Sequence, residues 1–85
     1  MDKQRIRELR AKAQSLKPTV YIGKDGITES VVRELSLQLE KAKLVKVRLQ
    51  PSSEMDREEA GSRLAEATRS TLVEVRGRTA VLAKG

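Results

Sequence analysis

Apolar positions change period several times along the 85-residue chain, and each change predicts an element. Ile6, Leu9, Ala13 and Leu16 recur at helical spacing, predicting a helix over residues 2–17. Pro18 ends it, because proline restricts Lys17 toward extended geometry and brings no N–H of its own. Thr19-Val20-Tyr21-Ile22 is β-branched and aromatic, short enough for a strand. A Gly23-Lys24-Asp25-Gly26 turn follows. Thr28 is then placed to cap a second helix, with Ile27 and Val32 in the hydrophobic-staple relation and Glu29 at the positive helix end. Val31, Val32, Leu35, Leu39 and Ala42 carry its apolar stripe through residue 42.

The period then drops to two. In Leu44-Val45-Lys46-Val47-Arg48-Leu49, Val45, Val47 and Leu49 point one way while Lys46 and Arg48 point the other, so this strand needs a wet face or a solvent edge. Pro51-Ser52-Ser53 makes a turn. A third helix is predicted over residues 56–69, with Asp56 and Glu59 as a capping box and Met55 and Ala60 as its staple. Ala60, Leu64, Ala67 and Thr68 are expected to face inward. Gly61 costs this helix about 1 kcal/mol relative to alanine, which points to a close backbone contact. Strands at residues 71–75 and 79–83 flank Arg76-Gly77-Arg78, where Gly77 supplies the left-handed conformation of a tight hairpin.

The order αβαβαββ defines a single α+β domain over residues 1–85, a four-stranded mixed sheet with helices packed on its apolar face. Strands separated by a helix are expected to join by right-handed crossovers, and the last pair to run antiparallel.

Composition narrows the chemistry. Phe, Trp, Cys and His are absent and Tyr21 is the only aromatic residue, so the core is aliphatic. Disulfides, Cys/His zinc sites, Cys or His nucleophile–base pairs and imidazole acid–base catalysis are excluded. No apolar run approaches the roughly 20 residues that cross a bilayer, and the N-terminus is charged, so no membrane association and a cytoplasmic location are expected. Eighteen Lys/Arg against twelve Asp/Glu give a net charge of +6. Acid exceeds base only over residues 51–69, which separates a basic face from an acidic one and suits a polyanionic partner.

Several places could meet phosphate. In the Gly23–Gly26 turn two glycines permit close approach, Lys24 supplies a mobile charge, and the following helix offers N–H groups; the same turn could equally be structural. It is not a nucleotide P-loop, since its lysine lies between the glycines rather than after the last one. Arg7 and Arg10 belong to the basic surface of the first helix, which either contacts phosphate or is merely solvated. Arg33 is an exposed base of the second helix, and Arg76 and Arg78 sit at the hairpin tip, as a backbone clamp or for solubility. Tyr21 either packs over the sheet edge with its hydroxyl in water or stacks on a base; one tyrosine is a poor stacking platform, so packing is expected. Glu54, Asp56, Glu58 and Glu59 suit the dipole of the third helix and make its start a poor phosphate site. No acidic constellation forms a metal or glycosidase motif.

Leu16-Lys17-Pro18, Ile22 through Thr28, Leu44 through Arg48 and Gly77 through Leu82, in this order and spacing, resemble the YhbY-like family, the chloroplast RNA splicing and ribosome maturation (CRM) domain. The resemblance covers essentially the whole chain. It implies a fold related to the C-terminal domain of bacterial initiation factor three, with a KH-like Gly-x-x-Gly loop between a strand and a helix. Stand-alone bacterial members of the family associate with precursors of the large ribosomal subunit, and plant proteins with several copies act in intron splicing. Residue by residue, the resemblance makes Gly23, Lys24, Asp25 and Gly26 the loop that approaches RNA, matches Lys46 and Arg48 to the basic second strand, and matches Gly77, Arg78 and Thr79 to the signature of the last hairpin. The chain departs from the family pattern at Ala83, where an aromatic residue is common, and at Thr68-Arg69-Ser70, where a Thr-Gly-type ending is common.

The expectation is therefore an RNA-binding protein that contacts structured RNA, ribosomal RNA or a large-subunit precursor, as a monomer and without cofactor, metal or small-molecule substrate. Its RNA-binding residues would be Gly23, Lys24, Asp25, Gly26, Thr28, Arg33, Lys46, Arg48, Arg76, Arg78, Arg7 and Arg10. The alternatives are an assembly factor docking mainly on ribosomal proteins and, more remotely, a small RNA-processing enzyme.

Overall fold

A computed structural model describes residues 1–85, with elements in the expected order: α1 (Lys3–Ala13), β1 (Val20–Ile22), α2 (Glu29–Ala42), β2 (Leu44–Leu49), α3 (Arg57–Thr68), β3 (Thr71–Arg76) and β4 (Thr79–Ala83). The sheet has four strands in the order β1-β2-β4-β3. β1 and β2 run parallel, as a helical crossover requires, whereas β4 is antiparallel to both of its neighbours. Gly77, at φ +57°, opens the two-residue turn between β3 and β4, the conformation demanded of the first central residue of a II′ hairpin.

The helix starts follow their caps. Thr28 Oγ1 accepts from Val31 N at 3.2 Å, and one Asp56 carboxylate oxygen accepts from the N–H groups of Glu58 and Glu59, both at 3.1 Å. The reciprocal half of the expected capping box is missing, because the Glu59 side chain turns to Arg63 at 3.6 Å. α1 stops four residues short of the predicted end. Ser15 N and Leu16 N already bond the carbonyls three residues back, the tighter winding by which a helix closes its last turn.

The larger core lies between α2, α3 and one sheet face, with Ile22, Leu35, Leu49, Leu64 and Leu82 essentially inaccessible. Burying side chains of this size contributes about 1.5–3 kcal/mol each. Gly61 is buried against β3 and provides the anticipated close contact. Two alanines depart from expectation: Ala42 and Ala67 are exposed, and Ala65 packs inward in place of the latter. A stripe about 100° wide leaves flanking alanines undetermined, since alanine gains little from either environment.

The expected packing of helices on one face describes α2 and α3. α1 instead joins a second core on the other side of the sheet, where Leu9 and Ala13 meet Val73, Val81 and Ala83. Alternation along β4 requires this: Ala80 and Leu82 belong to the first core, so Val81 and Ala83 point the opposite way and need their own cover.

α1 covers only part of that face. A β-bulge between Leu72 and Glu74 resets the alternation of β3, so Glu74 pairs with Val81 and Arg76 with Thr79 on the side away from α2 and α3.

Candidate nucleic-acid interface

One end of the sheet gathers the Gly23–Gly26 turn, the loop after β2 and the β3–β4 hairpin. Gln50 N bonds Ile22 O at 2.8 Å, and Leu49 N bonds Arg78 O at 2.8 Å, so the three segments are tied to one another. Within the turn, Gly26 N donates to Gly23 O at 3.1 Å. Gly26 has a backbone reason to be there, and Gly23 leaves space that the exposed Gln50 side chain fills. Gly26 has φ +72°, and a Cβ on Gly23 would lie 2.8 Å from Gln50 Oε1. Lys24 and Asp25, between them, are exposed. Neither takes part in an ion pair.

The turn has two unlike flanks. Toward α3, Lys24 and Asp25 share a hollow with Glu54, Asp56 and Glu59, where Asp25 adds a fourth carboxylate, Arg63 is already paired with Glu59, and acids outnumber the two bases. A phosphate would be repelled there. On the other flank, Thr28, Ile27 and Arg33 line a shallow hollow at the start of α2, with Glu29 as its acid.

The second group of bases lies on the sheet face that α1 leaves partly open. Tyr21 is the register partner of Arg48, Arg48 of Thr79, and Thr79 of Arg76, which sets these four residues in one row across all four strands. Their sequence neighbours Val20, Ile22, Val47, Leu49 and Ala80 lie in the first core, so the row points to the opposite side. Lys46 lies one row below, half-buried beside Val81. Arg48 and Arg76 are exposed, and no carboxylate pairs with Lys46, Arg48, Arg76 or Arg78.

The twelve candidate residues therefore divide. The turn, Arg48 and the hairpin lie toward one end of the sheet, and Lys46 extends the open face. Arg78 lines a hollow with Asp56 and Arg57 on the α3 side of the hairpin. Arg33 belongs to the helical layer, whereas Arg10 flanks β3, with Nε 3.4 Å from Val73 O. Arg7 is exposed on α1.

One contact has no signal in the sequence. Arg57 donates from Nη1 to Gly77 O at 3.0 Å and anchors the hairpin to α3; a contact between positions 20 residues apart has no local signature. Tyr21, expected to pack over the sheet edge with its hydroxyl in water, stands on the edge strand β1 and is 49 % exposed, and its hydroxyl donates to Pro18 O at 3.2 Å. Its alternation between the buried Val20 and Ile22 is the signal that places it outside.

No group of three or more acidic, His or Cys side chains is arranged to hold a metal ion. No helix is long and apolar enough to cross a membrane.

A small α+β domain with a Gly-x-x-Gly turn beside a basic sheet face is the class these features define. Residues 1–84 match the CRS1 / YhbY (CRM) domain, and the chain belongs to that family. It is 35 % identical over 78 residues to the Bacillus subtilis "Probable RNA-binding protein YqeI", covering 92 % of this chain and 81 % of the relative. It is 37 % identical over 78 residues to the Methanocaldococcus jannaschii "Probable RNA-binding protein MJ0652", covering 89 % of this chain and 58 % of that longer protein. The solution structure of SAV1595, a hypothetical Staphylococcus aureus protein provisionally assigned to RNA binding, superposes with a TM-score of 0.86 at 34 % identity. That superposition covers all of this chain and 88 % of the other.

Proposed function

We propose that this protein binds structured RNA, ribosomal RNA or a large-subunit precursor, through the Gly23–Gly26 turn and the basic surface beside it. The observation that carries the reading is the set of bases without ion-pair partners, Lys24, Arg48 and Arg76, around one end of the sheet, with Glu54, Asp56 and Glu59 gathered on the α3 side of the turn. Membership of the CRM family and the RNA-binding names of its relatives support the same partner.

In this mechanism the chain performs no bond chemistry. Lys24 meets a phosphate as a mobile point charge, and the first N–H groups of α2 add donors beside it. The acids near α3 turn the RNA backbone away from that flank, so electrostatics sets the side of approach as well as the affinity. Arg48 and Arg76 extend the contact over the sheet, with arginine forks suited to bidentate phosphate contacts. The protein acts as a monomer.

In-cell crosslinking with sequencing of the attached RNA tests this directly. Ribosomal RNA is expected to be enriched over the level seen with an unrelated basic protein of similar size; equal enrichment would overturn the reading. Binding to naked ribosomal RNA fragments as well as to intact precursor particles is expected, whereas affinity for the particles alone would assign the contact to ribosomal proteins.

A further inference from the structure

We propose that the row Tyr21–Arg48–Thr79–Arg76 is a subsite for single-stranded RNA, in which an unpaired base stacks on the Tyr21 ring and the adjoining phosphates follow Arg48 and Arg76. The inference rests on the RNA-binding reading and adds to it a second surface, the chemical state of the RNA there, and the residue that reads it.

Both cores are built without an aromatic side chain, yet the one aromatic residue of the chain stands outside them, half exposed on an edge strand. Tyr21 keeps about half of its surface open to solvent there. Its hydroxyl bond to Pro18 O tethers the far end of the ring, so part of the side-chain ordering that stacking needs is already in place. Beside it in register stands Arg48, whose charge has no carboxylate partner. Thr79 is short, and its hydroxyl is turned to Arg76 O at 2.8 Å, which leaves the middle of the row low between two arginines. The row crosses three strand intervals, about 14 Å at the usual spacing.

The chemistry selects an unpaired strand. In a duplex the faces of the bases are covered by their neighbours, and stacking on a side chain needs a base splayed out. An aromatic face flanked by cations accommodates any base, because every base has a π-face, so little sequence preference is expected here. The only acid that the strands place on this side is Glu74, opposite Val81 and one row below Arg76, so the row itself stays positive.

Tyr21 is the sole aromatic residue, so tyrosine emission reports on this site alone. A short oligouridylate titrated into the protein is expected to quench that emission, while an abasic ribose-phosphate chain of equal length binds more weakly and leaves it unchanged. Tyr21→Leu, checked for folding by circular dichroism, is expected to lower oligouridylate affinity about five- to hundredfold and to leave affinity for a blunt RNA duplex unaltered. Arg48→Gln is expected to weaken oligouridylate binding as well. Oligouridylate binding without quenching, with equal affinity in the parent and both variants, would overturn the subsite. If Lys24→Glu then still weakened binding to structured RNA, the loop reading would stand without it; absence of all RNA binding by the parent would remove both.

Discussion

Gly61 of α3 and Leu72 of β3 approach so closely that a Cβ on the glycine would lie 3.1 Å from Leu72 Cδ1 and 3.2 Å from Val75 Cγ2. The contact sets how near the third helix lies to the sheet. Two effects compete in Gly61→Ala. Helix propensity favours alanine by about 1 kcal/mol, and overpacking a tight contact costs about 1–3 kcal/mol. The neighbours are side-chain methyls that can yield slightly, so a net loss of about 0–2 kcal/mol is expected in urea denaturation. Gly61→Val adds two more methyls at the same place and loses part of the propensity gain. It should destabilise more than the alanine variant, and equal midpoints for the two would refute this packing account.

α3 ends with Arg69 at φ +53°, in the left-handed region where a Cβ is unfavourable by about 1–2 kcal/mol. The family pattern commonly puts glycine here. Arg69→Gly relieves the strain but gives the unfolded chain more freedom, an opposing term of about 0.4–1 kcal/mol. The strain term is the larger, so the variant is expected to be more stable by about 0.5–1 kcal/mol, read as a higher denaturation midpoint with an unchanged slope.

Lys84 Nζ lies 2.6 Å from Glu40 Oε2 and, by hydrogen bond and charge, holds the Glu40 carboxyl below its ordinary value; Lys43 adds a smaller pull in the same direction. A depressed folded value makes the contribution to stability present above the unfolded carboxylate range and lost as pH falls through the folded value. Both partners are exposed, so the effect on stability is small. In Lys84→Met the Glu40 carboxyl is expected to titrate at higher pH by NMR. The stability difference between variant and parent should be largest near neutrality and vanish in acid. A Glu40 titration unmoved by the substitution would refute the pairing.

The element order was legible because local rules carry it: the period changes at Leu44, the caps at Thr28 and Asp56, and the turn glycine at Gly77. What the sequence hid is non-local. Nothing in β4 announces that it inserts between β2 and β3, and α1 has an apolar stripe that either sheet face would accept. The site shows the same division. Alternation put Lys46 and Arg48 on the face away from the core, as found, but simple alternation along β3 would have put Arg76 on the same side as Leu72, under the helices. The bulge at Val73 reverses that, and only the register reveals it. In the sequence Tyr21 is a lone aromatic residue, and only pairing with β2 sets an arginine beside it.

Lys24 and Asp25 allow the loop to be tested without disturbing its backbone. Substituting Gly26 confounds binding with folding, since it has a positive φ, and a side chain on Gly23 would displace the exposed Gln50 side chain beside the turn. Lys24 and Asp25 are exposed and free of ion pairs, so neutral replacements are expected to leave stability within about 0.5 kcal/mol. If Lys24 neutralises one phosphate, Lys24→Gln weakens RNA binding and makes the dependence of log affinity on log salt shallower by about 0.7–0.9. Asp25→Asn removes a repulsive charge without adding a phosphate contact. It should tighten binding at low salt, and the gain should shrink as screening rises. Opposite signs from adjacent residues separate local electrostatics from a change in loop shape, which would shift both variants the same way. Isotherms of both variants that coincide with the parent across the salt series would take the turn out of the interface.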